Sequence, residues 1–501
     1  MSSSPLIERF ERLTRERAEH LAIVDERERV SFRLLGQRVG HVAAELRARG
    51  LSGKRVALLV TQGSRWVETF LGIIAADAIA VPLSHLHPEA EQSWFVRTSH
   101  ASALVVSAET RERVAGYAGG LPVLLVEELR DSQLGPGAID TRAGDVAVIL
   151  YTSGTTGKPK GALISQGNLE ATARLLGSAW KWSPDDVLLH CLPLHHLHGL
   201  GIALLTALLA GSTTRMLEKF DGPRLWDEMA HATVLMGVPT MHKKLLDGFD
   251  AADASTQARW AEHAARLRLV TSGSAALPTT VGERLRALTG QYPLERFGMT
   301  EIGVGASNPI EGPRVPGSCG PALPGMQLRI VKEDGSDAGP TESGEIWIRG
   351  PGVFLGYDEN PEATREAFSE GWFKSGDTAM FLDGGHVKIM GRTSVDILKS
   401  GGYKLSALEI EGIILELGAV AAVAVVGVPD PRWGERVVAC IVPAEGRESE
   451  CDANTVREHV KHKLAPYKCP KDVVLLAELP RNALGKVVKP ELIRRLARLT
   501  P

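Results

Sequence analysis

Eleven consecutive residues, Tyr151-Thr152-Ser153-Gly154-Thr155-Thr156-Gly157-Lys158-Pro159-Lys160-Gly161, are dense in hydroxyls, glycines and lysines. That composition suits a polyphosphate. Glycines let backbone N–H groups close on the oxygens, Ser and Thr hydroxyls add donors, and Lys neutralises charge. The string is not a Walker A loop, which needs four residues between its first Gly and the Gly-Lys pair, followed by Ser or Thr. Here Gly154 and Gly157 are too close, and Pro159 follows Lys158. A flexible linker fits poorly, because the stretch lies between two apolar runs of strand character, 146–150 and 162–165.

Other clusters could carry chemistry. His195-His196-Leu197-His198 follows a strand-like run; without a carboxylate pattern, three close histidines are a weak metal set. Thr271-Ser272-Gly273-Ser274-Ala275 lies between a strand and a helix, where small residues let a flat ring approach the backbone. Arg296-Phe297-Gly298-Met299-Thr300-Glu301 offers an aromatic face, a hydroxyl and a carboxylate. Mg²⁺ prefers one or two carboxylates plus phosphate oxygens and water, so Glu301 alone is sufficient. Asp377, after Lys374-Ser375-Gly376, is a carboxylate able to accept from two adjacent ribose hydroxyls. The adjacent Gly401 and Gly402 suit a close backbone approach by a narrow ligand arm. Lys486 by itself reads as a solvated surface charge.

Residues 151–161 match every position of the phosphate-loop signature of the adenylate-forming superfamily, which includes acyl-CoA synthetases, luciferase and peptide-synthetase adenylation domains. The other motifs follow in that family's order, so the chain is identified as a member over nearly its whole length. The resemblance implies substrates ATP and coenzyme A (CoA), with Mg²⁺. It assigns ATP or AMP to Thr152, Ser153, Gly154, Thr155, Thr156, Gly157, Lys160, Ser274, Ala275, Phe297, Gly298, Met299, Thr300, Asp377 and Arg392. Glu301 would hold the metal. Ser400, Gly401, Gly402 and Tyr403 would line the path of the CoA thiol. The octapeptide Leu479-Pro480-Arg481-Asn482-Ala483-Leu484-Gly485-Lys486 makes Lys486 the lysine that draws the substrate carboxylate to the α-phosphate. Thr300, Glu301, Gly402 and Lys486 are thus the catalytic set. The acyl pocket would be lined by His196, His198, Ser272, Arg296 and Met299.

These groups need a scaffold. At 501 residues two or more domains are expected. A net charge of −3 gives no reason to expect nucleic-acid binding. Five cysteines without a CxxC pair argue against a disulfide framework or zinc site and fit a reducing, cytoplasmic location. No apolar run reaches membrane-spanning length. Leu6, Ile7, Phe10 and Leu13 recur at helical spacing among acidic residues that a transit peptide would lack. Up to about residue 140, and again over 187–294, strands alternate with helices, which predicts an α/β fold of mostly parallel sheets covered by helices. Beyond about Gly312 strands come without helices (327–331, 344–349, 386–390), predicting a small β-rich subdomain. From Ile397 a fresh α+β pattern begins, with strands at 420–426 and 437–442 and helices near 454–464 and 490–499. The expected division is an AMP-binding domain over 1–393, a hinge at 394–396 and a mobile C-terminal domain over 397–501.

Among acyl-CoA synthetases the chain is most similar to malonyl-CoA synthetases, which also take methylmalonate. Arg296 stands where enzymes for monocarboxylic acids carry a small or neutral residue, and His198 adds a second polar group; an apolar acid would leave the arginine unpaired. Arg296 could instead be structural, paired with a protein acid such as Glu295 or turned to solvent. The alternative activities are a medium-chain or aryl acid–CoA ligase, a ligase to a free carrier protein, and an adenylate binder without turnover.

Overall fold

The computed structural model describes residues 5–135, 145–152, 159–481 and 487–497. Ser153, Gly154, Thr155, Thr156, Gly157 and Lys486, all assigned above to nucleotide or catalysis, lie outside the described residues.

Two large sheets build the body of the molecule. The first has seven strands in the spatial order Gly356–Tyr357, Lys160–Ser165, Val146–Thr152, Ile79–Pro82, Arg55–Leu59, Ala103–Val106 and Val123–Leu125. The last five are parallel neighbours; the first two pair antiparallel. The second has eight, in the order Gly303–Ser307, Leu294–Met299, Leu269–Ser272, Val234–Gly237, Val187–His190, Thr213–Met216, Leu21–Val24 and Arg29–Ser31. Its inner six are parallel, with one antiparallel strand at each edge. Helices on both faces explain the continuous apolar runs: Val56, Ala57, Leu58 and Leu59 are all buried. Parallel strands send their C-terminal ends to one side, where ligands of open α/β sheets collect. That places the segments after His190, Gly237 and Ser272 together.

The helix expected at the N-terminus is Pro5–Glu16, burying Leu6, Ile7, Phe10 and Leu13. The β-rich subdomain is present as Gln327–Val331, Ser343–Arg349, Trp372–Phe381 and Phe368–Ser369, with Val387–Arg392 paired to Trp372–Phe381. Residues from Ile397 form a five-stranded sheet of their own. In its strand Val420–Asp430, Val423 and Val425 pack towards the helices Ala407–Ile414 and Ala453–Lys461. Ala424, Val426 and Val428 pack towards Lys489–Ala497. The period-two alternation thus feeds two cores, one on each face. The helix expected over 454–464 ends at Lys461, ahead of Pro466. Among the described residues no helix is long and apolar enough to cross a membrane. The apolar run after His196 is a π-helix, His198–Leu204, continuing as the short α-helix Leu205–Leu209.

Candidate active site

The strands Val146–Thr152 and Lys160–Ser165 pair antiparallel with Thr152 opposite Lys160, so these two residues flank the stretch expected to bind phosphate. Lys160 Nζ lies 5.0 Å from the centre of the Tyr357 ring, and the Tyr357 hydroxyl donates to Glu301 Oε1 at 3.1 Å. Glu301 is buried; burial pushes its carboxyl up, and the charges of Arg392 and Lys160 and the Tyr357 hydroxyl oppose that shift. Among the described residues no group of three His, Cys, Asp or Glu could hold a metal. One buried carboxylate beside two cations instead fits Mg²⁺ arriving with the phosphates, whose oxygens complete its shell.

On the neighbouring subdomain the strand register faces Asp377 with Arg392. Arg392 Nε is 3.2 Å from Asp377 Oδ1, and Arg392 Nη1 donates to the Ser375 carbonyl at 2.6 Å. The two residues matched to the ribose are therefore held together by one ladder and one ion pair. Ser274 adopts φ 68, a left-handed conformation uncommon outside glycine, and its hydroxyl lies 3.3 Å from His198 Nδ1. Ser274 and Ala275 are exposed, whereas Phe297 is 8% exposed and packs into the main core. Gly298, Met299 and Thr300 are partly exposed beyond it.

Arg296 gives the least expected geometry. It is 4% exposed, yet its Nε and Nη2 have no hydrogen-bond partner among the described residues. Glu295 does not pair with it: that carboxylate accepts from the Gly317 N–H at 2.8 Å. Neither an ion pair with Glu295 nor exposure to solvent is found. Successive residues of a strand face opposite sides, which separates the two charges. The Arg296 side chain crosses to the neighbouring strand Leu269–Ser272 and rests on Gly273, where a Cβ would sit 2.5 Å from the guanidinium carbon. Burial draws the guanidinium down to about 10, so it remains charged at neutral pH. The orphaned polar atoms also include Ser272 Oγ, Thr271 Oγ1 and His198 Nε2. Burial, then the Arg296 charge, holds His198 well below the usual histidine range, hence neutral. Arg296, His198, Ser272 and Ser274 thus come together: Ser272 ends its strand, Ser274 follows it, Arg296 lies in the neighbouring strand, and His198 opens the π-helix. His196 is partly exposed two residues before His198.

The expected CoA residues differ in character. Gly401 and Gly402 have φ 57 and 82. Nothing would lie within 4 Å of a Cβ on Gly402, and Tyr403 is exposed and stacked on Tyr467, with centroids 4.3 Å apart. Ser400 is buried. Lys404 reaches Glu333 of the β-rich subdomain at 2.9 Å. Sequence reasoning missed Tyr357, which has no local motif and is placed by pairing with Ala162.

The AMP-binding enzyme family model matches residues 10–358, and the AMP-binding enzyme C-terminal domain model matches residues 409–486. The chain belongs to the AMP-binding enzyme family. It is an AMP-forming acyl-CoA ligase, with ATP and CoA as substrates. It is similar to the mitochondrial malonate–CoA ligase of Mus musculus, at 40% identity over 93% of this chain and 84% of that protein. The ATP-bound crystal structure of MatB from Rhodopseudomonas palustris is 34% identical, covers 100% of both chains and superposes with a TM-score of 0.89. A malonyl-CoA ligase ternary product complex with methylmalonyl-CoA and AMP is 35% identical, covers 93% of this chain and 97% of that one, and superposes with a TM-score of 0.69.

Proposed function

We propose that this enzyme ligates malonate, and by the same contacts methylmalonate, to CoA through an acyl-AMP intermediate. A malonate oxygen attacks the α-phosphorus of ATP, the bond to the β-phosphate oxygen breaks, and pyrophosphate leaves. The CoA sulfur then attacks the acyl carbon, its proton passes to solvent, and the bond to the AMP phosphate breaks. In this reading Lys486 draws carboxylate and α-phosphate together, and Thr152, Lys160, Thr300 and residues 153–157 hold phosphate oxygens. Asp377 and Arg392 hold the ribose, and Ser274, Ala275, Phe297, Gly298 and Met299 surround the adenine. Glu301 would hold Mg²⁺, which offsets phosphate charge when bound. Residues 1–393 and 397–501 move relative to each other about 394–396, bringing Ser400, Gly401, Gly402 and Tyr403 to the thiol. The five cysteines, all free, agree with a cytoplasmic location.

The observation that carries the choice of acid is Arg296, a buried guanidinium with two orphaned nitrogens. One malonate carboxylate must stay free to attack phosphorus, so the other needs its own partner, and a guanidinium can grip it with two parallel hydrogen bonds. His198, Ser272 and the partly exposed His196 and Met299 complete the pocket. The names of the mouse relative and of the product complex point to the same acid. A monocarboxylate would leave the arginine unpaired, at about 2–5 kcal/mol, or roughly 30- to 4,000-fold in selectivity. The test is kcat/KM for malonate against butyrate, in wild type and Arg296→Leu. The ratio should collapse towards one in the folded variant; an unchanged ratio would remove Arg296 from the substrate.

A further inference from the structure

Asp396, at the end of the proposed hinge, is tied from both sides. Its Oδ2 accepts from the Arg392 N–H at 2.9 Å, and its Oδ1 accepts from Lys489 Nζ at 2.5 Å. Lys489 is 7% exposed and also reaches Glu411 Oε1 at 2.7 Å. Glu411, on the helix Ala407–Ile414, accepts from the Val425 N–H of the C-terminal sheet at 2.7 Å. Gly391 keeps Asp396 close: at φ 124, a Cβ there would lie 2.4 Å from that of Asp396. Asp396 therefore connects Arg392, partner of Asp377, to the opening residue of the helix Lys489–Ala497.

Lys489 also stands just beyond residues 482–486. The base of that segment is closed by an antiparallel bridge, Arg481 to Val487, and by the Val488 N–H donating to the Pro480 carbonyl at 2.8 Å. Lys489 lies three positions after Lys486 in the chain. A lysine buried to this extent must be paired, and losing one partner of such a pair is strongly disruptive. The arrangement in which the pair exists superposes better on the ATP-bound relative (0.89) than on the CoA-product relative (0.69).

We propose that Lys489 is a positioning residue: its ion pair with Asp396 pins the base of the Lys486 segment to the hinge and so sets the domain arrangement used for acyl-AMP formation. This rests on the activity proposed above. Glu411 serves only to hold the ammonium within the C-terminal domain.

The experiment separates the two half-reactions in the full chain. Acyl-AMP formation is followed from malonate and ATP without CoA, and thioester formation from supplied malonyl-AMP and CoA. Lys489→Met and Asp396→Asn should each cut the first at least tenfold relative to the second, Lys489→Arg should restore the ratio, and Glu411→Gln should lower thermal stability with the ratio unchanged. An unchanged ratio in folded Asp396→Asn, or an equal loss of both half-reactions in all three charge-removing variants, would overturn the proposal. A second measurement needs no turnover. Spin labels on Ala258→Cys and Asn454→Cys, at exposed sites of the two domains, should give a single narrow distance distribution that Asp396→Asn broadens; an unaltered distribution would also overturn it. If wild type makes no malonyl-AMP, the activity reading fails while the distance measurement still decides the role of the ion pair.

Discussion

Two cations are buried almost equally and kept in opposite company. Lys489, 7% exposed, meets two carboxylates; Arg296, 4% exposed, meets none among the described residues. Burial alone would lower the affinity of Lys489 for its proton, and Glu411 and Asp396 more than reverse that. Burial of Arg296 is not reversed, and its guanidinium stays depressed to about 10. Uncompensated burial of an ion costs several kcal/mol, so the fold carries at Arg296 a debt that an anionic ligand would remove. The paired cation holds parts of the protein in position. On the proposed reading, the unpaired one is left for an anionic substrate.

Exchanging chemistry at the two sites sharpens the distinction. Arg296→Lys keeps the charge but loses the planar fork, so malonate kcat/KM should fall roughly 10- to 100-fold. The ratio of the two half-reactions should stay at the wild-type value, the opposite signature to Lys489→Met. Retention of full malonate activity would mean that charge alone suffices. A smaller effect is expected at Gly273→Ala, where the new Cβ meets the guanidinium 2.5 Å away. Displacing it should cost about tenfold in malonate turnover with butyrate unaffected; equal losses for both acids would show a general disturbance of the site.

The smallest effect concerns Glu295, the acid beside Arg296 in sequence that does not neutralise it. Burial pushes its carboxyl up to about 7 from 4.5. Across that window the folded protein keeps a proton that the unfolded chain has released. The group's contribution to stability is therefore full below pH 4.5 and is lost as pH rises through 7. Glu295→Gln should remove that dependence, a difference of about 3 kcal/mol at most between pH 4.5 and 8. Chemical denaturation of wild type and variant across this range measures it. If the wild-type contribution instead increased with pH, Glu295 would be paired with a cation after all, and Arg296 would be the first suspect.

The residues of the candidate site were picked out by their motifs, and the strand ladder sets Asp377 opposite Arg392 and Thr152 opposite Lys160. These motifs are local, and a turn or strand end fixes a few residues at once. The strand patterns were equally plain, because a parallel sheet covered on both faces demands continuous apolar runs. Tyr357 beside Glu301 was not readable, since a single tyrosine carries no pattern and only strand pairing brings it there. The division of labour between His196 and His198 was also hidden: the π-helix beginning at His198 turns that ring towards Ser274 and buries it, leaving His196 partly exposed.

By itself, then, the sequence determined the family, the α/β architecture and the order of the family's motifs along the chain. Only the tertiary structure decided which charges are paired. Lys489 and Asp396 are 93 residues apart in the chain, and Arg296 and Glu295 are neighbours; the distant pair meets and the adjacent pair does not. The reason is physical: a strand turns successive side chains to opposite faces, whereas burial selects partners by the space they share.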